Sequence, residues 1–183
     1  MKLATIIDEC QKVMGWFTPD QMRAFYPLVK DLKGTLVEIG TYHGKSTKFW
    51  RLASKLKITT IDIIDDPAPP IWFAGYVAGV KIDPEIEALG NIKVIQKDNR
   101  EVVKKWKKPI DVLFIDGDER HDSIYGDMEA WWPFVKSGGM MFIHNYYTGN
   151  QETMRAVDEW YDKHDKQVGE PRLMADVWVV TKK

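Results

Sequence analysis

The chain has 183 residues, enough for one substantial core and short for two. Its 26 basic and 27 acidic side chains leave a net charge of −1, so no global field gathers nucleic acid or an anionic membrane, and a small neutral or mixed-charge ligand is the expected partner. One cysteine, Cys10, excludes an internal disulfide. No apolar run approaches the roughly 18 residues of a membrane span, and Asp8 and Glu9 interrupt the stretch a signal peptide would need, so a soluble cytoplasmic domain is expected.

Residues 3 to 14 and 19 to 31 carry apolar positions at helical spacing, with Thr18 as N-cap, Pro19 at the first position and Asp20 in the first turn. They form a helical lead over residues 1 to 33, amphipathic enough to pack on a neighbouring copy. "TLVEI" (35 to 39) is a short continuous apolar run, as a strand buried on both faces requires, and "KSTKFWRLASKL" (45 to 56) follows as a helix. The runs at 58 to 64, 92 to 96, 111 to 116 and 139 to 145 repeat the pattern. "REVVKKW", "SIYGDMEAWWPFV" and "QETMRAVDEWYDKH" supply helices between or after them.

This alternation predicts a single three-layer α/β domain with a doubly wound, mostly parallel sheet. The tail differs. "KQVGEPRL" and "DVWVVTKK" are too close in sequence for a crossover and should pair antiparallel at the sheet edge. Residues 65 to 90 mix prolines, glycines and aromatics, and form either a packed excursion or a lid over the strand ends. Most of the eight tryptophans are expected in the core.

In such sheets ligands lie across the carboxyl ends of the strands. "LVEIGTYHGKST" (36 to 47) mimics a phosphate-binding loop, but Gly40 and Gly44 enclose three residues where that loop needs four. Gly40-Thr41-Tyr42 also lacks the second glycine of a dinucleotide loop. Asp62 lies 22 positions after Gly40, at the end of the second strand, where an acid accepts hydrogen bonds from ribose hydroxyls; a nucleoside is the indicated ligand.

Two motifs, "VEIGTYHGKST" and "IDGDERHDSIYGDMEAWWPFVKSGGMMFIHNYY" (115 to 147), make the chain resemble class I S-adenosylmethionine-dependent O-methyltransferases. It is most similar to their bacterial small-molecule group and more distantly to catechol O-methyltransferase. The resemblance runs from about Leu36 to the C-terminus and implies a Rossmann-like fold. It also implies that Glu38, Gly40 and Gly44 hold the methionine part of the cofactor within a loop that includes Thr41, Tyr42 and Ser46. Asp62 would hold the ribose, Asp98 with Asn99 the adenine edge, and Asp116 would border both cofactor and acceptor.

By motif position the resemblance places Mg²⁺ ligands at Asp116, His144 and Asn145. The chain departs from the pattern there: catechol-type enzymes carry Asp-Asn at the last two positions and the bacterial group His-Asp, whereas this chain has His-Asn. Magnesium prefers oxygen donors, so the imidazole weakens the site unless Asp118 or Glu119 joins it. Related enzymes place a lysine or histidine three positions after the first aspartate as general base. Here that position is Glu119, which could serve only if burial raised its pKa, with His121 as the alternative. The bland reading of Asp118, Glu119 and Asp122 is a solvated loop capping the next helix.

The expected activity is methyl transfer to a hydroxyl of a small molecule such as a sugar or a phenol, possible metal assistance included. The competing readings are a nucleotide hydrolase using Gly44-Lys45-Ser46 with Asp116, and a cofactor-binding homologue that has lost catalysis. Lys45 is expected to face solvent, His43 to be a structural filler and His164 to be exposed. The cluster Lys104, Lys105, Lys107 and Lys108 reads as a solvated helix end rather than a nucleic-acid site.

Overall fold

The structure, a computed structural model, describes residues 1–63, 81–147 and 149–183. In chain order the elements are α1 (Leu3–Gln11), α2 (Pro19–Val29), β1 (Lys33–Ile39), α3 (Lys45–Ala53), β2 (Lys55–Asp62), α4 (Pro84–Ala88), β3 (Ile92–Gln96), α5 (Asn99–Val103), β4 (Ile110–Ile115), α6 (His121–Trp131), β5 (Val135–Ile143), α7 (Gln151–His164), β6 (Arg172–Met174) and β7 (Val177–Thr181). The strands form one sheet in the order β3-β2-β1-β4-β5-β7-β6. β1 to β5 pair in parallel, and β7 pairs antiparallel with both β5 and β6. The expected doubly wound sheet with an antiparallel edge is present.

Its edge hairpin closes through Ala175 and Asp176, whose φ angles are 49° and 65°. Two successive left-handed residues make the tight turn that suits the right-handed twist of a hairpin. Other boundaries differ from expectation for local reasons. Helix α3 stops at Ala53, not 56, because the Ser54 hydroxyl donates to Trp50 O at 2.7 Å and accepts from Leu56 N at 3.2 Å, making the whole helix-to-strand turn in one residue. β5 starts at Val135, ahead of the run expected from 139, and continues through the Gly138-Gly139 pair with a bulge opposite β4. Of the stretch expected as a lid, residues 81–90 contain only α4 and its Asp83 cap; the rest of that expectation lies outside the described residues.

Helices α6 and α7 cover one face of the sheet, burying Trp131, Trp132 and Trp160 with Trp178. The helical lead and α3 cover the other, where Phe17, Met22, Phe25, Phe49 and Trp50 pack on Phe114 and Phe142. Phe25 and Trp50 stack with ring centroids 5.8 Å apart at 5°. Each such aromatic contributes roughly 2–3 kcal/mol by leaving water, so the lead is held by a real core. Cys10 lies inside it, and burial pushes its thiol up to about 12. Among the described tryptophans Trp16 is the exception, 71% exposed. Among the described residues no helix is long and apolar enough to cross a membrane.

Candidate functional site

The carboxyl ends of β1, β2, β4 and β5, with the loop after β3, surround a cleft of about 1040 Å³. Its first wall is the glycine loop. Gly40, at φ 90°, has no room for a side chain: a Cβ there would sit 2.1 Å from Asp116 O. The β1 and β4 ends therefore touch backbone to backbone, which only glycine permits. Gly44, at φ 91°, caps α3, and its N–H donates to Thr41 O at 2.8 Å.

The loop's next two N–H groups, Thr41 and Tyr42, both donate to Asp62 Oδ2, at 2.6 and 2.9 Å. A phosphate cradle needs those donors pointing at the ligand. Here they are spent on a carboxylate that would itself repel an anion, so the nucleotide-hydrolase reading fails on geometry. Lys45 fails it too. Instead of facing solvent, as expected, it is half-buried and donates to Gly15 O at 3.1 Å, tying α3 to the lead.

Glu38 and Gly44 do not line the cleft; they build the loop from behind. Glu38 is fully buried and accepts from the Ser46 hydroxyl at 2.7 Å and from the Thr47 hydroxyl. Burial pushes its carboxyl up to about 7 against the pull of those hydroxyls. Gly40, Thr41, Tyr42, Ser46, Asp62, Asp98 and Asn99 all reach the cleft.

Asp98 caps α5 by accepting from Arg100 N at 2.8 Å, and its hydrogen bonds with the Arg100 guanidinium hold its carboxyl below the usual range despite burial. Asn99 accepts from Trp131 Nε1 at 3.0 Å and donates to Asp127 Oδ2 at 3.4 Å. Asp127 was missed by sequence reasoning. It is 4% exposed, lines the cleft, and is pushed up to about 7 by burial. Its only sequence signal was an acid on the buried face of a predicted helix.

The second wall comes from β4, β5 and the loop 116 to 121. Asp116 Oδ1 lies 2.7 Å from His144 Nδ1, off the straight N–H axis. Asp116 Oδ2 has no partner among the described residues. His144 is 5% exposed; burial lowers its pKa, but the Asp116 charge and hydrogen bond more than offset this and raise it. Its other nitrogen, Nε2, sits 3.0 Å from Gln21 Nε2 on the lead.

Glu119 is exposed, not buried as its expected role as base required. Its two oxygens accept from Asn145 Nδ2 and, at 2.6 Å, from Asn150 Nδ2. His121 has Nδ1 2.8 Å from Asp122 Oδ1 and Nε2 2.9 Å from Glu159 Oε2. These partners, Asp122 foremost, raise its pKa against desolvation and favour the imidazolium, which has no lone pair to offer.

His43 is the expected filler, bonded through Nδ1 to Lys81 O at 2.7 Å. His164 is not simply exposed: it stacks on Trp160 with centroids 4.2 Å apart and bonds Trp160 O. The four lysines at 104, 105, 107 and 108 are exposed at the end of α5, as a solvated face should be. Among the described residues no three His, Cys, Asp or Glu side chains are grouped to hold a metal ion. Asp116 and Asn145 offer oxygen and His144 nitrogen at the same side of the cleft.

The sheet order, the glycine loop and the acidic strand ends define a class I methyltransferase fold. MycE from the mycinamycin biosynthetic pathway, solved with Mg, SAH and mycinamycin VI, is similar over the whole chain and 54% of its own length, at 19% identity and a TM-score of 0.66. An O-methyltransferase from Bacillus cereus, solved with SAH, is similar over 99% of the chain and 90% of its own, at 15% identity and a TM-score of 0.63. TomG from Streptomyces achromogenes, an O-methyltransferase of tomaymycin synthesis solved with SAM, gives 13% identity over 98% and 88%, also with a TM-score of 0.63. An uncharacterised protein of Acanthamoeba polyphaga mimivirus is 27% identical over 135 residues, 68% of this chain and 58% of that one. The chain thus spans little more than half the length of that curated relative and of MycE.

The family described as a methyltransferase domain matches residues 37–146, more than half of the chain. The chain belongs to this methyltransferase family.

Proposed function

We propose that the protein transfers the methyl group of S-adenosylmethionine to a hydroxyl oxygen of a small molecule. The observation that carries this reading is the glycine loop whose N–H groups are turned onto Asp62. A loop so arranged suits a cofactor that carries no phosphate and a net positive charge. Acidic side chains outnumber basic ones around the cleft, which favours the same cation. The O-methyltransferase neighbours, solved with SAM or SAH, support the choice of cofactor and of oxygen as acceptor.

Bound S-adenosylmethionine supplies an electrophilic methyl on a sulfonium, open to in-line displacement. Gly40, Thr41 and Tyr42 form the wall for its amino-acid part, Asp62 for its ribose, and Asp98 with Asn99 for its adenine. Glu38, through Ser46 and Thr47, keeps that wall in place.

We assign proton acceptance to Asp116, through Oδ2. A hydroxyl proton becomes strongly acidic as the new C–O bond forms, so an ordinary carboxylate suffices once it is aimed. Glu119 has both oxygens on amides and His121 both nitrogens on carboxylates, which makes them organisers of this wall: Glu119 orients Asn145, and His121 ties α6 to α7. The exposed rings of Trp16 and Tyr147, with Tyr42 4.9 Å from Trp16, make the rim of the cleft apolar and suit an acceptor with a ring or hydrocarbon face.

Isothermal titration with S-adenosylhomocysteine and with ATP tests the cofactor: heat from the first and none from the second is expected, and the reverse overturns the proposal. Methyl transfer to a panel of phenols and sugars tests the chemistry. Cofactor binding with no transfer to any hydroxyl, but transfer to an amine or thiol, would overturn oxygen as the acceptor.

A further inference from the structure

Residue 21 lies in the lead, outside the matched family segment, yet its side chain touches His144, which lines the cleft. Gln21 is 4% exposed and its side chain meets three groups. Oε1 accepts from Thr18 N at 2.8 Å, which completes the capping box of α2 as Gln21 N donates back to Thr18 Oγ1 at 3.3 Å. Nε2 donates to Ala175 O, in the edge hairpin, at 3.1 Å. Its remaining N–H points at His144 Nε2, 3.0 Å away.

An amide can usually be turned over with its oxygen and nitrogen exchanged. This one cannot. Turned over, its NH₂ would face the Thr18 N–H and its oxygen would face the Ala175 carbonyl, losing two hydrogen bonds and creating two repulsions in a buried place. The atom facing His144 is therefore a donor, and His144 Nε2 must be an acceptor. In a neutral imidazole one nitrogen accepts and the other carries the hydrogen. The hydrogen is then on Nδ1, whose near neighbour is Asp116 Oδ1 at 2.7 Å.

We propose that Gln21 fixes His144 as the Nδ1–H tautomer, making it a positioning residue that holds Asp116 and leaving its imidazole closed to a metal ion. The nitrogen that faces Asp116 has no lone pair, and the one that has a lone pair is covered by the amide. A divalent ion at this wall would have to be held by oxygen donors, without imidazole. Among the described residues Asp116 is held through Oδ1, and it lines the cleft. The inference concerns the ligand-free chain and stands whether or not the acceptor is a hydroxyl.

The tautomer is read directly from the ¹⁵N shifts and ring couplings of His144 in uniformly labelled protein, assigned against single substitutions of the other three histidines. A pyrrole-type Nδ1 and a pyridine-type Nε2 are expected, unchanged by saturating Mg²⁺ and not selectively broadened by trace Mn²⁺. The opposite pattern, or an Nδ1 that shifts to the coordinated type on adding metal, overturns the proposal. Gln21→Glu keeps the capping box but presents an acceptor to His144 Nε2, so that nitrogen should take up a hydrogen and its pyridine-type signal should disappear. Gln21→Leu removes the bias from Nε2, and a mixture of tautomers is expected. If both variants fold and keep the wild-type pattern, Gln21 does not set it; if neither folds, the wild-type spectrum alone decides.

Discussion

The two walls of the cleft are built on different plans. The wall proposed to hold the cofactor is made of backbone: Gly40, Thr41 and Tyr42 are set by one strand end, a positive φ and a carboxylate 20 to 21 residues away. The transfer wall is made of side chains that reach across the molecule, with Gln21 and His144 separated by 123 positions and Glu119 and Asn150 by 31. A wall of the first kind tolerates almost no change at its glycine and much change around it. A wall of the second kind fails wherever one partner is removed, and fails locally.

Gly40→Ala should break the first wall altogether. A Cβ 2.1 Å from Asp116 O at φ 90° forces β1 and β4 apart, at roughly 3 kcal/mol or more, and S-adenosylhomocysteine binding should be lost. Calorimetric titration with urea unfolding of the variant checks both. Asp116→Asn should break the second wall and spare the first: turnover falls by about two to four decades while S-adenosylhomocysteine affinity stays within a few-fold. A parallel loss of cofactor affinity would show that the walls are not separable.

Glu38 sharpens the comparison through pH. In the folded chain its carboxyl holds a proton up to about pH 7, whereas an unfolded glutamate releases it near pH 4.3. Between those values the folded state binds more protons, so stability falls as pH rises from about 4.5 to 7 and then levels off. The drop from this residue is at most about 4 kcal/mol. Asp127 adds a slope of the same sign. Glu38→Gln should remove its own share and leave that of Asp127, as measured by urea midpoints at pH 5 and 7. The smallest effect is expected from Lys45→Met, which gives up the bond to Gly15 O and loosens the lead by about 1 kcal/mol, without altering the loop that faces the cofactor.

The difference between the walls also decides what was legible in the sequence. Strand runs, the Gly40 to Asp62 spacing and the edge hairpin are local or periodic signals, and they led to the sheet and to the cofactor wall. Glu119 and His121 were chosen because they follow Asp116 closely in the chain, and nearness in sequence says nothing of Asn145, Asn150, Asp122 or Glu159, which occupy their polar atoms. Lys45 read as solvent-facing because its partner, Gly15 O, belongs to a segment whose docking no periodicity reveals. Gln21 carried no reading of its own in the sequence; its task depends on a tertiary contact. Asp127 shows the converse: an acid at a buried helical position is a signal in itself, since an unpaired carboxylate does not stay charged there without cause.

The amide of Gln21 ties together an early helix, a mid-chain strand end and the turn at Ala175 of the closing hairpin. A fragment trimmed to the recognisable methyltransferase segment would keep every motif that identifies it, yet would shed both the bolt and one of its two anchor plates. Engineers who graft this domain, or shuffle its termini, should therefore carry the outer pieces with it, because the reaction centre is latched from outside the signature that names the fold.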